Sequence, residues 1–396
     1  METSILTYIK QLSSDYLDEI IEIRRHFHKH PELSFEEQQT SGWICAFLDS
    51  LQIPYTSGWA GHGIVAQIDA PNSQKVVALR ADMDALPIVE MNDVPYKSIN
   101  SGIMHACGHD VHMASMVGAT KILHKIKDQL PHSIRIIFQP GEEKLPGGAH
   151  LMIEEGVLQN PVPSGIFGQH VFPSMPVGKV GIRSGLYMAS ADEIYITISG
   201  KGGHGGMPHE LTDTVLAASQ MIVNLQQIVS RRSNPAIPTV LSFGKFNTVG
   251  GATNIIPDTI HIEGTLRTMD ESWREKAHTL IQEVATQTCQ TFGASCDVNI
   301  MKGYPCLVND ETLTNQSKER MIDYLGKENV TDLPIRMTSE DFAFYSQVVP
   351  SCFYRLGTGN IEKGITSSVH TPTFDIDENS LSIGMGLMAW LAFSHK

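Results

Sequence analysis

Four short apolar runs, Ile64–Ile68, Val76–Leu79, Ile134–Phe138 and Ile166–Phe167, with a helical pattern over Val111–Ile126 between the middle pair, constrain the fold most. Strands that alternate with helices bury both faces of a mostly parallel sheet, and such a sheet carries its site at the carboxyl ends of its strands. After Ser184 the rhythm changes. Glu193–Ser199 puts Ile194, Ile196 and Ile198 on one face, Asp213–Val229 is a helix pattern, and Thr239–Phe246 and Thr259–Leu266 are strands. Glu271–Phe292 is then helix and Asp297–Met301 a last strand. The order β-α-β-β-α-β is that of a ferredoxin-like unit. From Asn309 the pattern returns to helix, strand and helix, ending with Leu381–Phe393. The expected architecture is α/β: a discontinuous, mostly parallel-sheet domain over 1–183 and 304–396, with a βαββαβ domain inserted at 184–303. At roughly 150 residues per domain, 396 residues accommodate this division.

The N-terminal segment carries acidic residues where a secretory signal would be apolar, and it reads as an amphipathic helix. A helix with Leu17, Ile20, Ile21 and Arg24 is stopped by Pro31. Ser34-x-x-Glu37 reads as a capping box opening a second helix that contains Ile44, Phe47, Leu48 and Leu51. A hydrophobic share of 41% against 18% charged excludes a disordered chain. The net charge of −14 makes nucleic acid and anionic membrane poor partners. No run of 18 apolar residues marks a membrane span. Six cysteines are too few for a disulfide framework, so a cytoplasmic location is expected.

Three polar clusters follow three expected strands: Arg80-Ala81-Asp82-Met83-Asp84, Gln139-Pro140-Gly141-Glu142-Glu143 and Gln169-His170. The densest polar stretch is Met104-His105-Ala106-Cys107-Gly108-His109-Asp110-Val111-His112. Thiolate, imidazole and carboxylate are the ligands of borderline transition metals, and Cys107-x-His109 suits two ligands on a turn before a helix. His105 and His112 are either supporting or purely structural. Adjacent carboxylates on an extended segment point to opposite sides, so one of Glu142 and Glu143 can hold an ion while the other takes a proton from water. His370, before the Thr371-Pro372 turn, can supply a distant ligand, whereas Ser339-Glu340-Asp341-Phe342 reads as a helix start with acids in its first turn.

A rival reading starts from Gly200-x-Gly202-x-x-Gly205, which matches a dinucleotide-binding fingerprint after a strand. The next helix pattern begins only near Asp213, and no acid ends a second strand about 20 residues on, so no nucleotide cofactor is expected. No P-loop, Gly-x-Ser-x-Gly elbow or His-Glu-x-x-His occurs.

Taken in order, these motifs resemble the M20 family of metallo-aminoacylases and peptidases, specifically its amidohydrolase branch of hippurate hydrolases, N-acyl-amino-acid deacylases and auxin-conjugate hydrolases. The resemblance runs from Arg24-Arg25-His26-Phe27-His28-Lys29-His30-Pro31-Glu32-Leu33 through Asp82-Met83-Asp84-Ala85-Leu86-Pro87, His105–Asp110, Glu142-Glu143, His170, Gly203-His204 and Asn254-Ile255-Ile256-Pro257 to His370-Thr371-Pro372. It implies that Cys107, His109, Glu143, His170 and His370 ligate two divalent ions, zinc or manganese first and nickel or cobalt next. It implies Glu142 as general base, Asp84 as a supporting acid, and His204 and Asn254 as oxyanion donors from the inserted domain. Arg267 is a candidate clamp for a substrate carboxylate. Gly141 stands where the branch often has Ala, a difference expected to matter little. The implied activity is deacylation of N-acyl-L-amino acids, with a dipeptidase or carboxypeptidase as the alternative. The implied assembly is a homodimer through the inserted domain, or a tetramer containing it.

Overall fold

The computed structural model describes residues 2–395. They form two compact units. The first comprises the chain up to Tyr187, Val308–Pro334 and Asp341 onward; the second comprises Met188–Leu307 with Ile335–Glu340. The segment 335–340, expected in the α/β domain, is held in the second unit by bonds from Ala189 N to Arg336 O (3.1 Å) and from Arg267 Nη1 to Ser339 Oγ (2.8 Å).

The first unit is built on an eight-stranded sheet in the order Tyr55–Trp59, Gly63–Ile68, Ser133–Gln139, Val76–Asp82, Ile166–Pro176, Ser351–Gly359, Val180–Ile182, Val330–Asp332. Its four central strands, Ser133–Gln139 to Ser351–Gly359, are parallel; Tyr55–Trp59 and Gly63–Ile68 join antiparallel on one side. The central strands Val76–Asp82 and Ser133–Gln139 are buried at every position, as a sheet covered on both faces requires. The helix His109–Lys125 packs against Ser380–Ser394 and Leu17–Lys29. Ser380–Ser394 is apolar nearly all round, and its residues are buried along almost its whole length.

The expected capping box does not form. Ser34 Oγ donates to Asp84 Oδ2 (2.6 Å), and Glu37 Oε1 accepts from Gly141 N (2.8 Å). The helix Gln38–Ser50 is capped by Glu32, whose carboxylate accepts from Gln39 N (3.0 Å) and Thr40 N (2.8 Å). The Ser-x-x-Glu spacing is real, but a buried acceptor and donor elsewhere outcompete the helix end.

The second unit has a four-stranded antiparallel sheet in the order Thr239–Val249, Thr259–Thr268, Asp192–Ser199, Ser295–Lys302. Ile194, Ile196 and Ile198 pack with Ile260, Ile262 and Leu266 against Met221 and Leu225 of the helix Thr214–Gln227 and Leu280 and Ile281 of the helix Glu271–Thr291. Asp213 and Asp270 cap those helices by accepting from Leu216 N (2.9 Å) and Trp273 N (2.6 Å).

One buried charge cluster braces this unit. Asp192 accepts from Arg274 Nη2 (2.5 Å), Gly303 N (3.0 Å) and His278 Nε2 (2.6 Å). Burial would raise this carboxyl, but the bonds from His278 and Arg274 outweigh it and hold Asp192 at about 2. Because the folded value lies below the ordinary carboxylate value, the stabilisation is complete above about pH 4 and is lost as pH falls through 2. Denaturant titrations of wild type and Asp192→Asn should differ by about 3 kcal/mol near neutrality, since Asn leaves a buried guanidinium without its main counter-charge. The difference should shrink by about 2 kcal/mol as pH drops from 5 to 2. A pH-independent difference would show that Asp192 acts by packing alone.

Candidate metal centre

Gly108, at φ +86°, turns the chain between Cys107 and the helix His109–Lys125, where a Cβ would meet Val171 at 2.6 Å. Cys107 Sγ then lies 3.4 Å from His170 Nε2 and 3.3 Å from His370 Nε2. His370 Nε2 is 3.1 Å from Glu143 Oε1. The donor atoms of Cys107, His109 and His170 all fall within 4.8 Å of one another, as do those of Cys107, Glu143 and His370, and those of His109, Glu142 and Glu143. One sulfur thus belongs to two donor sets. Sulfur and nitrogen ligands of a tetrahedral ion, at about 2.3 and 2.0 Å from it, stand about 3.5 Å apart, close to the separations here.

The imidazole protons are placed by their other contacts. His170 Nδ1 donates to Val171 O (2.8 Å), which leaves the lone pair on the Nε2 facing Cys107. Val171 N donates to His112 Nε2 (3.0 Å), so His112 carries its proton on Nδ1 and gives it to Asp82 Oδ1 (2.6 Å). Burial holds both rings below the ordinary imidazole value, in the neutral form. His105 is buried with neither nitrogen bonded, and burial pushes it down to about 3.

Backbone and carboxylates hold the remaining members. Asp84 Oδ1 accepts from Glu142 N (3.0 Å) and Oδ2 from Glu143 N (2.9 Å), while Oδ1 stands 3.3 Å from His109 Nδ1. Asp341 is not the helix cap that its sequence context implied. Its carboxylate accepts from Arg80 Nη2 (2.5 Å), Gln139 Nε2 (2.8 Å) and Ala149 N (2.9 Å), and its own N–H donates to Glu142 Oε1 (3.3 Å). Ser34, Glu37, Asp82 and Asp341 are supporting residues that sequence reasoning missed or misassigned, because their partners lie up to about 260 residues away. His170 was expected to follow a strand; it lies inside Ile166–Pro176, paired with Arg355.

The donor set fits a cation. Both ring nitrogens of His109 and Oε1 of Glu143 are buried without a well-aligned hydrogen bond, although carboxylates and imidazoles stand within 3.1–3.3 Å of His109 Nδ1 and Glu143 Oε1. Burial lowers His109, but the charges of Asp82, Asp84 and Glu143 outweigh it and push the ring up to about 10. Burial together with Glu143 and Glu142 pushes the Cys107 thiol well above its usual value. Both shifts report a dense negative field of the kind a divalent ion answers. The chain matches the model of peptidase family M20/M25/M40 over residues 78–393.

The chain belongs to that family. The N-acetyl-L-cysteine deacetylase of Bacillus subtilis is 39% identical, over 92% of this chain and 85% of its own length. Thermostable carboxypeptidase 2 of Saccharolobus solfataricus is 38% identical over 96% of both chains. The Bacillus subtilis YXEP protein, described as a dinuclear metal binding peptidase from the M20 family, shares the fold with a TM-score of 0.82 at 34% identity, covering 96% of this chain and 98% of its own. The resemblance to the amidohydrolase branch is borne out, and the protein is a metal-dependent hydrolase of amide or peptide bonds.

The structure gathers Cys107, His109, Glu142, Glu143, His170, His370 and Asp84 into one cluster. His204, Asn254 and Arg267 belong to the second unit. There His204 and Asn254 lie together: Gly203–His204 pairs antiparallel with Ile255–Ile256, and Gly205 N donates to Asn254 O (2.8 Å). The glycine run serves this pairing, since a Cβ on Gly202 would come 2.3 Å from Ile256 O.

Gly141 matters more than its sequence context implied. Its φ is +62°, and a Cβ there would fall 2.4 Å from the Phe35 ring. Gly141→Ala should therefore cost about 2–4 kcal/mol from left-handed backbone and overpacking together. Because Glu142 and Glu143 follow directly, metal content should fall as well. Thermal unfolding and elemental analysis check both effects, and adding Phe35→Leu should recover part of each. Full stability and full metal content in the single variant would contradict the steric argument.

Proposed function

We propose that the enzyme hydrolyses the amide bond of N-acyl-L-amino acids, releasing a carboxylic acid and a free amino acid. Cys107, His109, Glu143, His170 and His370 would hold two divalent cations. The observation that carries this reading is the position of Cys107 Sγ within reach of two donor sets. A buried thiolate among imidazoles and carboxylates suits zinc or manganese, and also nickel or cobalt. Bound cations lower the pKa of a water and polarise the scissile carbonyl.

The residues supply the rest. Glu142, fixed by Asp84 at its N–H and by Asp341 N at Oε1, accepts a proton from the attacking water and delivers it to the leaving amine. Glu143, within reach of Glu142 and His109, also meets His370. In the second unit Gly206 N donates to His204 Nδ1 (3.0 Å), so the ring carries its proton on Nε2 and presents an exposed donor for an oxyanion. Asn254 beside it is a second candidate donor. Arg267, half-buried and held by Ser339, is the candidate clamp for the substrate carboxylate.

The second unit would form a homodimer. Its edge strand Thr239–Val249 leaves Val249 55% exposed, and the helix Thr214–Gln227 leaves Leu216 53% and Val223 64% exposed. Apolar side chains beside an unpaired strand edge suit a second copy. A cytoplasmic location is part of this reading, since six cysteines in 396 residues are too few for a disulfide framework. The similarity to a carboxypeptidase supports a second reading, cleavage of a C-terminal residue from a peptide. Both reactions leave an amino acid with a free carboxylate. Comparing kcat/KM for acetyl, benzoyl, succinyl and indoleacetyl amino acids with that for dipeptides separates them, and preference for dipeptides would overturn the deacylase reading.

Glu142→Gln should lose at least 10²–10⁴ in kcat with metal content unchanged, as expected for a missing proton acceptor. Near-normal turnover in metal-replete variant would remove Glu142 from the base role. His204→Ala should lose about 10²–10³ in kcat, as for one oxyanion donor. If His204 serves the partner's site, mixing the two inactive variants should restore activity after subunit exchange, because one site of the heterodimer is then intact. Heterodimers that stay inactive would show that His204 serves its own chain.

A further inference from the structure

The helix Leu17–Lys29 buries a charged side chain completely. Arg24 is 0% exposed, and its Nε donates to Asp110 Oδ2 (2.7 Å) while its Nη2 donates to Asp375 Oδ1 (2.9 Å). Its Nη1 lies 3.6 Å from Glu378 Oε1. His28, one turn on, places Nδ1 2.8 Å from Asp110 Oδ2 and Nε2 3.2 Å from Glu90 Oε1. Tyr96 stacks its ring 4.9 Å from the Arg24 guanidinium and donates its hydroxyl to Asp375 Oδ2 (2.8 Å).

These contacts join two segments of the candidate centre. Asp110 is the residue after His109, in the first turn of its helix. Asp375 is five residues after His370, in the same loop. The loop is anchored at its start by His370 N to Ala106 O (2.7 Å), in its middle by Met91 N to Pro372 O (2.8 Å) and Asn92 Nδ2 to Phe374 O (2.9 Å), and at its end by Arg24. His109 sits on a helix and His170 in a strand, which fix them locally. His370 has a left-handed φ of +63° and a side chain that is 52% exposed, so its place depends on how the loop is held.

The plain alternative is that Arg24 only packs its helix. Ile20 and Phe27 of that helix already do so from the core, and a buried ion pair is a weak source of stability compared with apolar residues of the same volume. A planar fork that reaches two carboxylates from distant segments fixes a separation, which apolar packing does not.

We propose that Arg24 is a positioning residue. Its guanidinium ties the segment bearing Cys107 and His109 to the loop bearing His370, and so sets the affinity for the cation shared by Cys107, Glu143 and His370. This rests on the reading of those three residues as ligands.

The test uses protein stripped with a chelator and titrated with Co²⁺ alone. Bound ions are counted by equilibrium dialysis, and the thiolate-to-cobalt absorption is followed. Wild type should take two ions per chain. Arg24→Met and Asp375→Asn should keep one ion at wild-type affinity and bind the other about 10–100-fold more weakly, the usual cost of losing a ligand's support. Arg24→Lys, which keeps the charge without the fork, should recover part of the loss. A purely packing role would lower the melting temperature of the stripped protein and leave both affinities within about threefold of wild type, overturning the proposal. Equal weakening of both ions would also overturn it. If Arg24→Met fails to fold, the isosteric Asp375→Asn decides alone. A wild type that binds a single ion or lacks the thiolate signal would overturn the ligand reading, and this one with it. Two ions in wild type with unchanged variants would overturn the clamp alone.

Discussion

Asp84 accepts hydrogen bonds from Ser34 Oγ and from the consecutive N–H groups of Glu142 and Glu143, in a place where burial favours a neutral carboxyl. Burial raises its pKa, but the contact with His109 and the bonds from Ser34 and Glu143 outweigh it and keep the group ionised. The arrangement of the centre depends on this anion. Two consecutive amides on one carboxylate leave the peptide between Glu142 and Glu143 no freedom to rotate. Both carboxylates thus stay within reach of His109, and each has its own further neighbour, Asp341 N for Glu142 and His370 for Glu143. Gly141 must turn left-handed to bring the amides into place, and Phe35 and Glu37 close the space beside it.

The second constraint comes from a domain whose chain is interrupted. Glu142 and Cys107 lie before the second unit, and Asp341 and His370 after it. Two buried arginines span that interruption. Arg80 donates to Asp82 Oδ2 (2.5 Å) and to Asp341 Oδ1 (2.5 Å). Arg24 does the same between Asp110 and Asp375. In each case a guanidinium fork links an acid beside an early candidate ligand with an acid on the returning chain. Lysine, a point charge on a flexible stem, could neutralise either acid but could not hold both at fixed separation. The central parallel strands bring the segments close, and the arginines set the final distances.

This division explains what could be read from sequence. The candidate ligand types, the Glu pair and the βαββαβ insertion follow from local chemistry and periodicity, which need only neighbouring residues. The supporting residues do not. Ser34 and Glu37 look like a helix cap because their spacing suits one, yet their partners are Asp84 and Gly141. Asp341 looks like a helix-start acid, yet it is an acceptor for Arg80 and Gln139. His170 looks like the end of a strand because Gln169 and His170 interrupt an apolar run, but both are buried inside it. A polar residue in a buried strand reads as a strand end whenever its partner is distant in sequence.

His204 shows the same limit from the opposite direction. Its glycine-rich loop resembles a phosphate-binding turn, and glycine content alone cannot separate that from close chain pairing. What separates them is the destination of the N–H groups. In a phosphate-binding turn they would point into an open cradle ahead of a helix. Here Gly202 N goes to Asp258 Oδ1 (2.7 Å), Gly205 N to Asn254 O and Gly206 N to His204 Nδ1. Three amides that could have formed an anion nest are consumed within the loop, and the last of them fixes the imidazole tautomer. Since Nδ1 is the acceptor, His204 offers a neutral N–H donor at Nε2 rather than a lone pair. That chemistry suits a developing oxyanion and not a metal ion.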